Sequence, residues 1–109
     1  MQLPAIRAYR FAEFTLDLGR RRLNRADETL PLAGRAFDVL AYLLAHSDRM
    51  VTKRELLDAV WPRMVVEENN LTQAISQLRR VLGDSRESPR FIVTVAGRGY
   101  QFVGEAEAL

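Results

Sequence analysis

Cysteine is absent from this sequence and histidine occurs once, so the side chains that most often bind structural or catalytic metals are nearly missing. Without cysteine there are no disulfide bonds and no thiolate ligands, which fits a reducing compartment such as the cytoplasm. The chain also lacks a glycine-rich phosphate-binding loop and any serine or threonine beside an evident catalytic base. We expect the one histidine, His46, at a helix end or on the surface. These absences argue against an enzyme and predict neither a metal nor a cofactor.

Long hydrophobic runs are absent as well. The longest apolar run, residues 39–45, is far shorter than the roughly 20 residues that cross a bilayer as a helix, and no signal-peptide pattern is present. Any membrane attachment would therefore come from segments outside these 109 residues. With 48% hydrophobic residues the chain can bury one core, which predicts a single domain over residues 1–109. We expect its core over about 9–103 and the start of a linker or tail at 104–109.

Lysine is scarce too, since Lys53 is the only one and the other 15 of the 16 basic residues are arginine. Acidic residues number 14, so the formal net charge is only +2 and says little about partners. The distribution is more informative, because arginines cluster at 20–25 and again in the last third of the chain. Arginine binds phosphate and guanine through paired hydrogen bonds. This usage therefore suits contact with nucleic acid better than the net charge indicates.

The pattern of apolar residues changes from strands to helices along the chain. Residues 9–11 and 14–18 alternate apolar with polar side chains, and a further short run begins at Leu23 and ends near 30–32. Gly19 and residues 24–29 supply the turn-prone breaks. Such alternation predicts a small antiparallel sheet. From about 35 to 46 the apolar residues recur at helical spacing instead, which predicts a first helix that is mostly core.

A second helix is marked at both of its ends. Thr52 and Glu55 match a capping box, in which the hydroxyl and the carboxylate each satisfy a backbone amide at a helix start. Pro62 ends the helix because proline cannot continue it. The connection that follows, 63–66, is longer than the tight turn of a simple helix-turn-helix, and its apolar residues either pack inward or meet a partner.

The most informative stretch is a predicted third helix over residues 67–82, because its two faces differ in chemistry. The apolar stripe consists of Leu71, Ile75, Leu78 and Leu82. The opposite face carries Asn69, Gln73, Ser76, Gln77 and Arg80. Amides, hydroxyls and guanidinium groups are the side chains that bond to base edges in DNA. This face is predicted to read bases, the alternative being a polar solvated face with no partner.

Two strand-like runs follow, at 91–95 and 100–103, and the short connection between them predicts a β-hairpin. Gly97 and Gly99 are expected to supply the positive φ that a tight turn requires. Arg98 then lies at the hairpin tip, where it contacts DNA or is simply a solvated charge. A recognition helix followed by a hairpin with a basic tip is the order of a winged helix.

Several motifs along the chain carry a family resemblance. They are Val-Thr-Lys-Arg-Glu-Leu-Leu at 51–57, Val-Trp-Pro at 60–62, Asn-Leu at 70–71, Leu-Arg-Arg-Val-Leu-Gly-Asp at 78–84 and Thr-Val-Ala-Gly-Arg-Gly-Tyr-Gln-Phe at 94–102. Together with the order of elements, they resemble the OmpR/PhoB-type winged-helix DNA-binding domain over about residues 9–103. The resemblance implies an α+β fold with a four-stranded N-terminal antiparallel sheet, a three-helix core and a C-terminal β-hairpin wing.

The same resemblance implies a bacterial, two-component-like transcription regulator that binds double-stranded DNA, usually as tandem or paired protomers. In that family the third helix reads the major groove, and the wing meets the minor groove or the backbone. The loop between the second and third helices can contact RNA polymerase. Here that loop spans 62–66 and includes Arg63, Met64 and Val65.

Carried over by position, the family's base-reading residues fall on the polar face of the third helix described above. Its phosphate-contacting or wing residues fall on Thr52, Arg79, Thr94, Arg98 and Tyr100. Two positions depart from the family pattern. Ala96 stands where response regulators often have arginine, so any minor-groove contact falls to Arg98. Ala33 stands where several members have threonine, which forgoes a helix cap of about 1 kcal/mol unless Gly34 substitutes.

Three other functions fit the sequence less well. A winged helix used only for protein interaction would tolerate apolar or acidic residues on the third helix, unlike the face seen here. RNA binding is disfavoured because an A-form major groove is too narrow for a helix. The aromatic residues Trp61, Phe91, Tyr100 and Phe102 are expected in the core rather than on a stacking surface for single strands.

The layout also bears on where the domain lies in its protein. Met1 stands eight residues before the first predicted strand, whereas a response-regulator output domain ordinarily follows a receiver domain. This favours the N-terminal part of a longer regulator, or a free-standing one. We expect the signal to be sensed outside these residues, with no small-molecule ligand in this domain.

Overall fold

The computed structural model describes residues 5–109, and residues 1–4 of the predicted domain lie outside this range. Within it the elements are, in chain order, β1 (Ala8–Phe11), β2 (Phe14–Asp17), β3 (Arg22–Arg25), β4 (Glu28–Leu30), α1 (Gly34–Ala45), β5 (Val51–Thr52), α2 (Lys53–Val60), α3 (Glu68–Leu82), β6 (Ile92–Val95), β7 (Gly99–Phe102) and β8 (Glu107–Ala108). The predicted α+β class is confirmed: an antiparallel sheet comes first, three helices follow, and a hairpin comes after them.

The first sheet has the strand order β4-β3-β2-β1-β8, with each neighbouring pair antiparallel. Successive side chains of a strand point to opposite faces of the sheet, so the alternation in sequence becomes one buried face. The buried side chains of this sheet are Tyr9, Phe11, Phe14, Leu16 and Leu23. The sheet therefore covers one side of the helical core.

Tight turns in the first sheet are made without glycine at their strained positions. Ala12, Arg21 and Ala26 have φ of 50°, 54° and 53°, in the left-handed region. Such a conformation is uncommon for residues with a Cβ, so composition gives little warning of it. The turn at Ala26 separates β3 from β4 and lies within the residues 24–29 that were predicted as a turn-prone break.

The last residues correct an expectation. The segment 104–109 was expected to begin a linker or tail outside the core, but β8 pairs with β1 at the edge of the first sheet, with Tyr9 opposite Ala108 and Arg10 opposite Glu107. Backbone hydrogen bonds of 2.8 Å join Arg7 N to the Leu109 carbonyl and Leu109 N to the Ala8 carbonyl. A strand of two residues is too short to be recognised by alternation of apolar and polar side chains, so the sequence did not predict β8.

Helix α1 forms the centre of the helical core. Its buried residues are Ala36, Phe37, Val39, Leu40, Leu43 and Leu44. Its N-cap is Ala33, which makes no side-chain capping hydrogen bond, while Gly34 lies inside the helix. The predicted loss of a cap is therefore confirmed. His46 is the C-cap, in agreement with the helix-end position expected for it.

Only half of the predicted capping box of α2 forms. The Thr52 hydroxyl accepts a hydrogen bond of 3.1 Å from the Glu55 backbone N–H, as predicted. The Glu55 carboxylate turns elsewhere, since it accepts from Arg49 Nη1 and Nη2 at 2.9 and 2.6 Å and from the Tyr42 hydroxyl at 2.5 Å. These bonds, first from Arg49 and then from Tyr42, lower the pKa of Glu55 to about 2. Burial opposes the shift because it disfavours a charged carboxylate.

The second sheet has the order β5-β7-β6, and its β6–β7 hairpin is the wing. Gly97 in the turn has φ of 72°, as predicted, but Gly99 does not adopt a positive φ. Gly99 pairs with Thr52 on β5, and a Cβ there would overlap the Val51 carbonyl oxygen and lie 2.9 Å from the Thr52 Cα. The expectation of positive φ is therefore wrong for Gly99, which is required by the close approach of two strands.

The aromatic residues lie in the core, as predicted. Phe11 packs against Phe14, Phe91 and Phe102 with ring centroids 5.2–5.5 Å apart. Trp61 and Tyr100 are 7% and 6% exposed, so the alternative of an open stacking surface does not apply. Among the helices of residues 5–109, the structure contains none that is long and apolar enough to cross a membrane.

Candidate nucleic-acid interface

Helix α3 presents one buried face and one polar face. Its buried residues are Leu71, Ala74, Ile75, Leu78 and Leu82. Of the five predicted base-reading residues, Asn69, Gln73, Ser76 and Arg80 are exposed and Gln77 is half-buried. Four polar side chains that can donate or accept hydrogen bonds thus follow the outer side of the helix.

Gln77 lies on the flank of that face. Together with Gln73 and Asn70 it borders a shallow groove whose other side is the start of α1, at Ala33 and Arg35. The Asn70 amide donates to the Glu67 carbonyl at 3.2 Å, and Glu67 is the N-cap of α3. The first half of α3 therefore lies beside the beginning of α1, and Gln73 and Gln77 line the groove between the two helices.

A larger groove, of about 530 Å³, separates α3 from the wing. Its polar side chains are those of Lys53, Thr72, Ser76, Arg79, Arg80, Asp84, Arg86, Thr94 and Tyr100. Four of these are basic and one is acidic, which makes the groove electropositive. Ala96 and Gly97 at the wing turn also border it, so the exposed Arg98 lies at the rim.

Arg79 and Thr94, both predicted to contact phosphate or to lie on the wing, are bonded to one another. Arg79 Nη2 donates to the Thr94 hydroxyl at 2.8 Å and to the Ile92 carbonyl at 2.9 Å. Both residues are half-buried. The structure thus brings this predicted pair together at the base of the groove, with the guanidinium already engaged by the wing.

Thr52, Tyr100 and Arg98 meet where α2 begins. The Thr52 hydroxyl caps α2, the buried Tyr100 stands opposite Thr94 on the wing, and the Arg98 carbonyl accepts from the Lys53 backbone N–H at 3.1 Å. This hydrogen bond attaches the tip of the wing to the first residue of α2. The groove therefore has walls from three elements, α2, α3 and the wing.

Lys53 was not among the predicted site residues, although it lines the groove. Its Nζ bonds to the carboxylate of Glu68, the first residue of α3, and this bond raises the pKa of Lys53 above its ordinary value. Thr72 and Arg86 were also missed. Thr72 stands four residues before Ser76 and helical spacing alone would have found it, but nothing in the sequence indicates that Lys53 approaches α3.

The loop between α2 and α3 is exposed. Arg63 has φ of 61°, and Met64 and Val65 are 53% and 106% exposed. Arg35 holds the start of this loop, since its Nη1 donates to the Val60 carbonyl at 2.6 Å and its Nη2 lies 3.7 Å from the Met64 sulfur. The three residues predicted to meet a polymerase thus lie on the surface, where Met64 and Val65 expose apolar side chains beside the charged Arg63.

A polar outward helix, a hairpin beside it and an electropositive groove between them define a winged-helix DNA-binding domain. The comparison with known families agrees: the family model described as "Transcriptional regulatory protein, C terminal" matches residues 27–102. The chain belongs to this family of OmpR/PhoB-type DNA-binding domains, as the sequence resemblance implied. It is a family of transcription regulators and not of enzymes.

Relatives and solved structures agree with this assignment. The chain is 36% identical over 104 residues to the transcriptional activator CadC of Escherichia coli K12, covering 94% of this chain and 20% of CadC. The structure resembles the DNA-binding domain of E. coli CadC with a TM-score of 0.81 and 31% identity, covering 96% of this chain and all of that one. It also resembles the Klebsiella pneumoniae RstA DNA-binding domain in complex with RstA box, with a TM-score of 0.74, 29% identity and coverage of 88% and 96%. The chain spans about a fifth of the length of CadC.

Proposed function

We propose that this domain binds double-stranded DNA sequence-specifically, as part of a bacterial transcription regulator that works in the cytoplasm. Helix α3 enters the major groove, and the wing lies at the backbone or in the adjacent minor groove. The observation that carries this proposal is the exposed row of Asn69, Gln73, Ser76 and Arg80 beside an electropositive groove. A major groove about 12 Å wide admits a helix and offers each base pair a distinct set of donors and acceptors.

The division of roles follows from position. Arg80 is exposed on the outer face of α3, where a guanidinium can bond to guanine through two hydrogen bonds. Lys53, Arg86 and Arg98 lie around the groove and its rim, where they would meet phosphates and fix the orientation of the domain. Because Lys53 is paired with Glu68, its approach to a phosphate requires that pair to open.

Selection from random duplexes, followed by anisotropy titration, tests the proposal. Arg80→Ala should cost about 1–3 kcal/mol on the selected sequence and relax preference at one base position, with a much smaller effect on random DNA. Arg25→Ala, on β3 of the first sheet, removes the same charge and serves as the matched control. Equal losses on selected and random DNA for Arg80→Ala would contradict base reading by α3.

The selected sequences also test a further part of the proposal, that two protomers bind side by side. The family resemblance supports it, and half-sites for adjacent protomers should recur at about one helical turn, or roughly 10 base pairs. Selected sites without any repeated element would contradict paired binding and leave single-domain recognition intact.

We also propose that the loop at 62–66 contacts RNA polymerase once the domain is on DNA. Support comes from the full exposure of Val65 and the half exposure of Met64, since soluble proteins rarely leave neighbouring large apolar side chains uncovered without a partner. The loop lies outside the groove between α3 and the wing.

A further inference from the structure

The C-terminal end of α3 is bound to the first strand of the wing from two sides. On one side, Arg79 donates through Nη2 to the Ile92 carbonyl and the Thr94 hydroxyl. On the other, the Asp84 carboxylate accepts three backbone N–H groups, from Arg90 at 2.7 Å, Phe91 at 3.2 Å and Ile92 at 2.9 Å. Residues 90–94 are thus bound by one cationic and one anionic side chain.

These two side chains come from a single turn of backbone. The Asp84 N–H donates to the Arg79 carbonyl at 2.8 Å, and Gly83 between them has φ of 67°, which ends the helix and turns the chain back. Arg79 and Asp84 are therefore fixed relative to one another before either reaches the wing. We refer to Arg79 and Asp84 together as the helix–wing clamp.

The bonds of the clamp are of a strong kind. Hydrogen bonds with one ionised partner are shorter and stronger than those between neutral groups, and both residues are half-buried, so water screens them less than a surface pair. Ile92 is fully buried and receives a bond from each side, to its carbonyl and from its N–H. The register of β6 against β7 places Val95 opposite Gly99, so fixing Ile92 and Thr94 also fixes the turn that carries Arg98.

We propose that Arg79 and Asp84 act as positioning residues that hold the wing at a set distance from α3, so that the helix and the wing meet DNA as one rigid surface. Arg79 serves DNA binding through the wing rather than as a phosphate contact. This inference rests on the proposed function. It assigns a role in DNA binding to an acidic residue, Asp84, although the groove that Asp84 lines is proposed to face phosphates.

Asp84 gives the sharpest test, because a role through its charge alone and a role in holding the wing predict opposite changes in DNA affinity when it is replaced. Removing a negative charge from a phosphate-binding groove should tighten DNA binding if Asp84 acts by charge alone. If Asp84 holds the wing, Asp84→Asn should instead weaken binding to selected DNA about tenfold, since an amide accepts fewer backbone N–H groups. Glu87→Gln, in the exposed loop before the wing, removes the same charge and should leave affinity unchanged or slightly higher.

Arg79→Lys supplies a second, milder variant. Lysine keeps the positive charge and can still bond to a phosphate, but it lacks the rigid, planar guanidinium whose Nη2 donates to both Ile92 and Thr94. A phosphate contact predicts that lysine preserves affinity. The clamp predicts a loss comparable to that of Arg79→Ala.

Hydrogen exchange on the free protein tests the clamp without DNA. Asp84→Asn and Arg79→Lys should accelerate exchange of the wing amides at 92–102 about tenfold, while the amides of α1 exchange as in the unaltered protein. Unchanged wing exchange overturns the clamp, and undiminished DNA affinity in both variants overturns its role in binding. If the unaltered protein binds no duplex DNA, the proposed function fails while the exchange data still decide whether the clamp exists.

Discussion

Among single residues, Glu55 shows how a tertiary contact replaces a local one. In sequence it completes a capping box, and in the structure its carboxylate is bound by Arg49 and Tyr42 instead. The Thr52 half of the motif was predictable because it needs only backbone three residues away. The other half was not, because Tyr42 belongs to α1, and its approach depends on how two helices pack.

This cluster predicts a pH dependence of stability. The folded pKa of Glu55 is lowered to about 2 from an ordinary 4.5, so its contribution is fully present above about pH 4.5 and is lost as pH falls through about 2. Glu55→Gln should therefore lower the free energy of unfolding at pH 7, and its difference from the unaltered protein should shrink between pH 4.5 and 2. Urea unfolding followed by circular dichroism across this range measures the difference.

Glu28→Gln is the control for that experiment. Glu28 pairs with Arg25 on the surface, with side chains 63% and 48% exposed, and such exposed pairs contribute little. A difference for Glu55→Gln that stays constant down to pH 2 would mean that the charge of Glu55 does not stabilise the fold.

Among the elements, the wing contains two glycines, Gly97 and Gly99, that lie two positions apart in one motif and are required for different reasons. Gly97→Ala imposes a left-handed conformation on a residue with a Cβ and should cost about 1–2 kcal/mol. Gly99→Ala places a Cβ against the Val51 carbonyl and should cost about 3 kcal/mol or more, because backbone must move. Thermal or urea unfolding of the two variants measures which one loses more stability. Equal losses of stability would show that β5 moves away from β7 at little cost in free energy.

The helices themselves were largely predictable. The spacing of Leu71, Ile75, Leu78 and Leu82 predicted a buried face that the structure confirms, and Gly83 is the C-cap of α3. The helical spacing of apolar residues depends only on nearby residues, so it can be recognised in the sequence without knowledge of the tertiary structure. The bounds of β1 and β2 were largely predictable as well, since they agree with the runs 9–11 and 14–18 to within one residue. The left-handed φ of Ala12 and Ala26 was not predictable, because alanine has no preference for that conformation.

At the scale of the whole molecule, the candidate site is assembled from distant parts of the chain. The outer face of α3 was predictable from its period alone. The groove was not, because Lys53 reaches it through the pairing of β5 with β7, which joins Thr52 to Gly99, 47 positions later in the sequence. The same sheet brings the wing tip to the start of α2.

The loop between α2 and α3 and the groove between α3 and the wing are separate surfaces, and this separation gives a prediction for the whole molecule. Val65 lies on the exposed loop before α3 and not among the residues of the groove, so Val65→Ser should leave the affinity for selected DNA unchanged. If this loop contacts polymerase, the same change should reduce activated transcription from a promoter with the selected site by several-fold. Thr29→Ser, on β4 of the first sheet, is the control. A loss of DNA affinity in Val65→Ser would contradict the separation of the two surfaces.

The pairing of β8 with β1 has a consequence for how the chain folds as it is made. The meander of β1 to β4 pairs strands that are neighbours in sequence, and such local contacts form early. The outer edge of β1 has to wait for Glu107 and Ala108, so it stays open until nearly all of the described chain has left the ribosome. An open strand edge is a template for pairing with other chains, so a nascent copy paused before residue 107 would still present the edge of β1 to other chains.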